Sequence, residues 1–181
     1  ANLEEFLAWA SGAGFESTEL QINDLWPDET QDPIATTKEA KRLVEKYGMK
    51  VSAVASRNDF VMLDEAAVDA QVARMKRIGE LVLMMDCNVI RTEGGQPKDS
   101  VPEEKWTEAI TGCCLRSLDF LKSMGLKYAI DNHGVVSNNI DVMLGVLKNV
   151  NAPGIVGSNL DTMNVRWFGN SLEDCDRFYR E

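Results

Sequence analysis

The sequence holds one histidine, His133, and four cysteines, Cys87, Cys113, Cys114 and Cys175, none of them in a C-x-x-C pair. So few nitrogen and sulfur ligands, so spaced, argue against a zinc ribbon or a multi-zinc centre. Cys113 and Cys114 are neighbours in a helical pattern and point about 100° apart, so reduced thiols in a cytoplasmic protein are the expectation. Long apolar runs are also missing. The longest stretch of large apolar residues is Leu81–Met85, far short of the ~20 residues that span a bilayer. No basic segment leading into an apolar one opens the chain, so no signal peptide is read. Positive charge is scarce: 19 Lys and Arg against 29 Asp and Glu leave a net charge of −10. That field repels phosphate backbones and anionic lipid, so neither nucleic acid nor membrane is expected as a partner. No G-x-G-x-x-G, Walker loop or G-x-S-x-G occurs, and Gly94–Gly95 is too short for a phosphate cradle.

What is present is a globular composition, 44% hydrophobic and 27% charged over 181 residues, read as one domain over 1–181. Helix and strand patterns alternate along it. Asn2 and Glu5 are spaced as a capping box ahead of Leu3, Phe6, Leu7 and Ala10. The same spacing recurs at Thr36 and Glu39 and at Ser100 and Glu103, while Asp64 and Ser171 stand as simple caps. Gly14, Gly48 and Gly125 stop helices. A stripe at Val68, Val72, Met75, Gly79, Val82 and Met85 marks a long amphipathic helix. A second, at Trp106, Ile110, Cys113, Cys114, Ser117 and Leu121, marks another. Strands are predicted at 18–23, 51–56, 88–93, 127–131 and 154–160. Their starts are 27 to 39 residues apart, the length of one strand–helix unit.

Short apolar strands between amphipathic helices predict a parallel sheet covered by helices. Two arrangements satisfy that pattern: a small doubly wound sheet, or part of an eight-stranded barrel. The chain starts at a helix cap and ends within a helix, so it reads as a fragment of a longer chain. In either arrangement function collects at the C-terminal ends of the strands. Those ends carry Asn23, Asp24 and Trp26; Ser56 and Arg57; Arg91 and Glu93; Asp131, Asn132 and His133; and Asn159, Asp161 and Asn164. Carboxylates, amides, guanidinium and one imidazole converging there suit a hard divalent metal and a polyhydroxylated ligand. The residues also have plainer readings. His133 could be a loop residue bonded to backbone, Asp131 and Asp161 could cap the next turns, and Arg91 and Glu93 could form a structural ion pair. The long loop Asp24–Ala35 is expected to help shape a site.

The succession Phe15…Glu19-Leu20-Gln21, Leu25-Trp26-Pro27, Lys46–Val54 (KYGMKVSAV), Ile130–Gly134 (IDNHG) and Asn159–Asn164 (NLDTMN) resembles the sugar phosphate isomerase/epimerase family of xylose isomerase-like TIM barrels. The resemblance implies a (β/α)8 TIM barrel, incomplete here: about five strand–helix units, without the first strand and the last two. It implies a divalent metal (Mn2+, Mg2+, Co2+ or Zn2+) in the full-length protein, held by Glu, Asp, His and Glu on barrel strands five to eight. Asp131 falls where the first Glu is expected, one methylene shorter, and Asp161 matches the Asp. The last two ligands have no counterpart. The activity implied is metal-dependent isomerisation or epimerisation of a sugar or sugar phosphate through an enediolate. Asp131 and His133 are then the catalytic candidates, Asp131 and Asp161 the metal ligands, and Arg91, Glu93, Trp26 and Asn164 the substrate contacts. The alternatives are a dehydratase or lyase on a keto-polyol using the same enolisation, and a non-catalytic sugar-binding barrel subunit. The expected partners are a small sugar or polyol and further copies of the chain.

Overall fold

Five short β-rich segments pair into one parallel sheet, and the amphipathic segments between them cover one of its faces. The computed structural model describes residues 2–180. The elements run α1 Leu3–Gly12, β1 Ser17–Gln21, α2 Ile22–Leu25, α3 Ile34–Lys46, β2 Lys50–Ala55, α4 Glu65–Met84 and β3 Val89–Glu93. A 3-10 turn at Glu103–Lys105 leads into α5 Trp106–Met124 and β4 Lys127–Asp131. Then come α6 Gly134–Ser137, α7 Ile140–Val150, β5 Val156–Asn159, α8 Thr162–Trp167 and α9 Leu172–Arg180.

The strands lie in the order β1-β2-β3-β4-β5, every pair parallel. Spatial order equals chain order, which is the progression of a barrel; a doubly wound sheet reverses midway. Register places Ala55 beside Arg91, Arg91 beside Ala129, Glu93 beside Asp131 and Asp131 beside Asn159. One irregularity, between Thr18 and Glu19, leaves Ser52 of β2 out of the register with β1, and its hydroxyl donates to the Thr18 carbonyl instead.

Side chains alternate between the faces. Leu20, Val54, Ile90, Tyr128, Ile130 and Val156 point at the helices and are buried with Leu7, Leu43, Met75, Ile78, Ile110, Leu121 and Met143 in one continuous core. Both predicted helical stripes face that core, although Val72 is only partly buried. Among the described residues no helix is long and apolar enough to cross a membrane, and all four cysteines are free and buried.

The helix ends separate true caps from look-alikes. Asn2 and Glu5 form the reciprocal capping box, and Asp64 accepts from the Ala67 amide. Ser171 accepts from the Asp174 amide. Thr36–Glu39 is not a box: α3 begins two residues earlier at Ile34, and the Glu39 carboxylate pairs with Arg42. Ser100–Glu103 fails because Pro102 turns the chain into the 3-10 segment before α5 starts. Proline is pre-set for such a first turn, and the spacing rule does not see it. β1 is shorter than predicted, since Ile22 and Asn23 wind into α2, and β5 is trimmed at both ends.

Candidate functional site

The face of the sheet away from the helices carries small and polar side chains. Ala53, Ala55, Ala129 and Gly157 stand among Glu19, Arg91, Glu93, Asp131 and Asn159. Barrel interiors are ordinarily filled with bulky branched residues. Here the small ones leave room above them for the charged ones.

Arg91 sits at the centre of this face. Its Nη1 donates to Asp131 Oδ2 at 2.6 Å. Its Nε lies 3.0 Å from Glu19 Oε1, an ion pair without the alignment of a hydrogen bond. Asn159 Nδ2 donates to the other Asp131 oxygen at 2.7 Å. One guanidinium thus bridges carboxylates on β1 and β4, reaching over the alanines of β2. Asp131 is only 4% exposed, and at that burial an ionised carboxylate needs such partners. Arg91 pairs with Asp131 and Glu19 rather than with Glu93, so the ion pair anticipated within β3 does not form. Glu93, next to Asp131 in register, keeps a carboxylate with no hydrogen bond or ion pair among the described residues.

Asp161 lies just beyond β5 as the N-cap of α8. Its Oδ1 accepts from the amides of Met163 and Asn164, and its second oxygen accepts nothing from the described residues. Here the capping reading is correct, and it leaves half of the carboxylate available. Asn132, wholly buried, ties this loop to β4 through two bonds to the Asp161 backbone. His133 is the N-cap residue of α6, but its exposed side chain makes no capping bond. Asn164 is buried at the start of α8. Trp26 closes its own loop: its Nε1 donates to the Gln31 carbonyl at 2.9 Å, and its ring packs against the core. Asp28 stitches the same loop through Thr30 and Gln31, and these bonds hold its carboxyl below the usual carboxylate range. The structure therefore joins Arg91, Asp131 and, in register, Glu93. It links Asp161 to them through Asn132, and it gives Trp26 a partner elsewhere. The sequence reading placed Asn159 among the converging strand ends but gave neither it nor Glu19 a site role. The signal was there in the alternation of β1, which puts Glu19 on the face opposite Leu20.

As donors for a hard divalent cation the residues fit in kind, being oxygen ligands at a barrel mouth. Oxygens with no partner among the described residues belong to Glu93, Asp161 and Glu19, whereas each Asp131 oxygen already accepts one hydrogen bond. Among the described residues no group of three His, Cys, Asp or Glu side chains is gathered closely enough to hold an ion. A cleft of about 990 Å³ lies elsewhere, between α7, the edge of β5 and Arg177 of α9.

A sequence profile of the xylose isomerase-like TIM barrel matches residues 7–180. The chain belongs to the xylose isomerase-like TIM barrel family. A search of curated protein sequences finds no match. Among solved structures the chain is similar to the IolI protein with a bound zinc atom, at 16% identity and a TM-score of 0.79, covering 96% of this chain and 63% of that one. It is similar to D-psicose 3-epimerase in the presence of D-fructose, at 17% identity and a TM-score of 0.74, covering 98% and 64%. It is also similar to the probable 3-DHS dehydratase AsbF of Bacillus anthracis, at 14% identity and a TM-score of 0.68, covering 97% and 63%. The chain therefore spans less than two thirds of the length of these relatives, and at such identities the likeness speaks for the fold. Five parallel strands in chain order are the part of the barrel present here.

Proposed function

We propose that the protein is a sugar isomerase or epimerase of the xylose isomerase-like type, working with a divalent cation and moving a proton on carbon through an enediolate. The observation that carries this reading is the Glu19–Arg91–Asp131–Asn159 network beside a free Glu93, at the strand ends of a barrel of this family. The cation would be held by Asp161 through its uncommitted oxygen, with Asp131 joining through a lone pair that its bonds to Arg91 and Asn159 leave over. Bound there, it would polarise the substrate's carbonyl and adjacent hydroxyl. Arg91, balanced by two carboxylates, is held rigid and offers its remaining N–H groups to substrate oxygens. Glu93 is free to take and return the proton. His133, on the rim, can donate to an oxygen of the sugar. The small residues below leave space for a polyol rather than a packed interior.

Incubating the protein with D-fructose and with D-psicose in deuterated water containing Mn2+, followed by NMR, tests this. Deuterium at a carbon next to the carbonyl, together with the epimer or aldose, is the expected outcome. No exchange with any sugar of a wider panel would overturn it. Loss of water from the sugar would favour a dehydratase, the activity named for the similar AsbF structure. One observation favours binding without turnover: both oxygens of Asp131 are already engaged. Saturable binding with no deuterium exchange would be its signature.

A further inference from the structure

Two buried asparagines perform the same task at two places on the mouth. Asn58, 4% exposed, stands three residues past β2. Its Oδ1 accepts the Glu93 amide at 2.8 Å, and its Nδ2 donates to the Glu93 carbonyl at 2.7 Å. Asn132 directly follows β4. Its Oδ1 accepts the Asp161 amide at 2.7 Å, and its Nδ2 donates to the Asp161 carbonyl at 2.8 Å. In both cases an amide side chain at the end of one strand grips both peptide groups of an acidic residue at the end of the next. Each amide is itself braced. The Ser56 hydroxyl donates to Asn58 Oδ1, and Asn132 Nδ2 also reaches Asn138 Oδ1.

Such a clamp fixes the backbone on either side of the acid's Cα, so the Cβ direction is set without the clamp touching the carboxylate, which at Asp161 keeps one oxygen on the α8 cap and one uncommitted. Asp131 is treated the opposite way: its carboxylate is closed by Arg91 and Asn159. A buried side-chain amide is worth its desolvation cost only when all its bonds are made. Two such amides placed alike, each ending on an acid with free oxygen, identify what the scaffold holds still. We propose that Asn58 and Asn132 are positioning residues, and that they present Glu93 and Asp161, rather than Asp131, to the ligand. The ligand half of this statement rests on the function proposed above; the clamp half does not.

The test uses isotope-labelled protein with Asn58→Ala, Asn132→Ala and, as a control at a buried hydrogen bond far from the mouth, Ser117→Ala. In Asn132→Ala the Asp161 amide should exchange with solvent about ten- to a hundredfold faster, the scale of losing a buried hydrogen bond. The Asp161 HN–Hα coupling, which reads the clamped backbone, should move toward its averaged value, with Glu93 untouched. Asn58→Ala should do the same at Glu93 alone, and Ser117→Ala should do neither. Unchanged couplings and exchange, or an equal effect of Ser117→Ala, overturn the clamps. If either alanine variant fails to fold, Asn58→Asp and Asn132→Asp keep the accepting half, and the same local loss is read in them. Substoichiometric Mn2+ then separates the two halves. Broadening of the Glu93 and Asp161 carboxyl signals ahead of Asp131 supports the assignment, and Asp131 first overturns it. If no carboxyl broadens, the metal reading fails, and the couplings still judge the clamps.

Discussion

The two faces of the sheet are built by opposite rules. The helix-facing side is a close-packed layer of Leu20, Val54, Ile90, Ile130 and Tyr128, where every side chain touches another apolar one. The other side alternates Ala53, Ala55, Ala129 and Gly157 with ionised groups that hold one another in place. Apolar packing is concentrated on the first face and charge on the second. The same strands serve both because successive residues point to opposite sides. Holding carboxylates and a guanidinium on one face costs desolvation that the network only partly returns. The apolar face must therefore carry the fold.

The largest expected effect lies in that apolar layer. Ile90→Ala, at a fully buried site, should cost about 2–5 kcal/mol in urea denaturation. Ala53→Ser on the inner face should change stability by no more than about 0.5 kcal/mol. Equal costs would break the contrast between the faces.

Next is Arg91→Met, which strands Asp131 without its cation. A loss of about 2–4 kcal/mol is expected, at the low end for buried pairs because the Arg91 side chain keeps 18% exposure. Adding Asp131→Asn should restore most of it, since no buried charge is then unpaired. A double variant as unstable as the single one would mean that Arg91 acts by packing alone.

Alkali probes the helical layer. Burial pushes the Cys113 thiol up to about 12 from 9.0, with Cys114 and Tyr128 raised for the same reason. Above pH 9 the unfolded chain loses the thiol proton that the folded one keeps. Stability therefore falls as pH rises through the window from 9 to about 12, by about 1.4 kcal/mol per pH unit for Cys113 alone. Denaturation midpoints measured between pH 8 and 11 should be flat and then decline. Rapid labelling of native Cys113 by a thiol reagent at pH 8 would contradict this burial.

The smallest effect belongs to a cap. Asp161→Ala removes two hydrogen bonds from the start of α8 and should cost about 1 kcal/mol. It should loosen α8 in hydrogen exchange without disturbing β4. A loss several times larger would show that Asp161 holds the mouth together beyond its cap.

Much of the architecture was legible in the residues. The KYAID strand, the long helix after Asp64 and the Gly48 and Gly125 stops follow from alternation, helical stripes and left-handed glycine. The false boxes at Thr36 and Ser100 show the limit, because Pro33 and Pro102 set the chain direction before the spacing rule could act. The meeting of Arg91 with Asp131 was legible only as a shared strand end. Which carboxylate Arg91 would choose was not.

Gly94–Gly95 makes the same point. In the sequence the pair is only too short for a phosphate cradle. In the fold, a Cβ on Gly94 would lie 2.5 Å from Ser137 Oγ, and one on Gly95 would lie 2.2 Å from Asp59 Oδ1. Gly95 also has a φ of +122°. The need for glycine there comes from partners 43 residues downstream of Gly94 and, for Gly95, from the loop after β2.

The sequence by itself determined the strands, the helices, their order and the acidic character of the strand ends. These depend on local periodicity and on charges that any neighbour would feel. Only the tertiary structure decided which acids are closed and which are open. Asp131 meets a guanidinium from β3 and an amide from β5, whereas Glu93 and Asp161 meet asparagines that grip their backbone and leave carboxylate oxygen free. Those partners are 28 to 40 residues away in the chain. Hydrogen bonds of 2.6–2.8 Å between them exist only once parallel register has set the strand ends side by side.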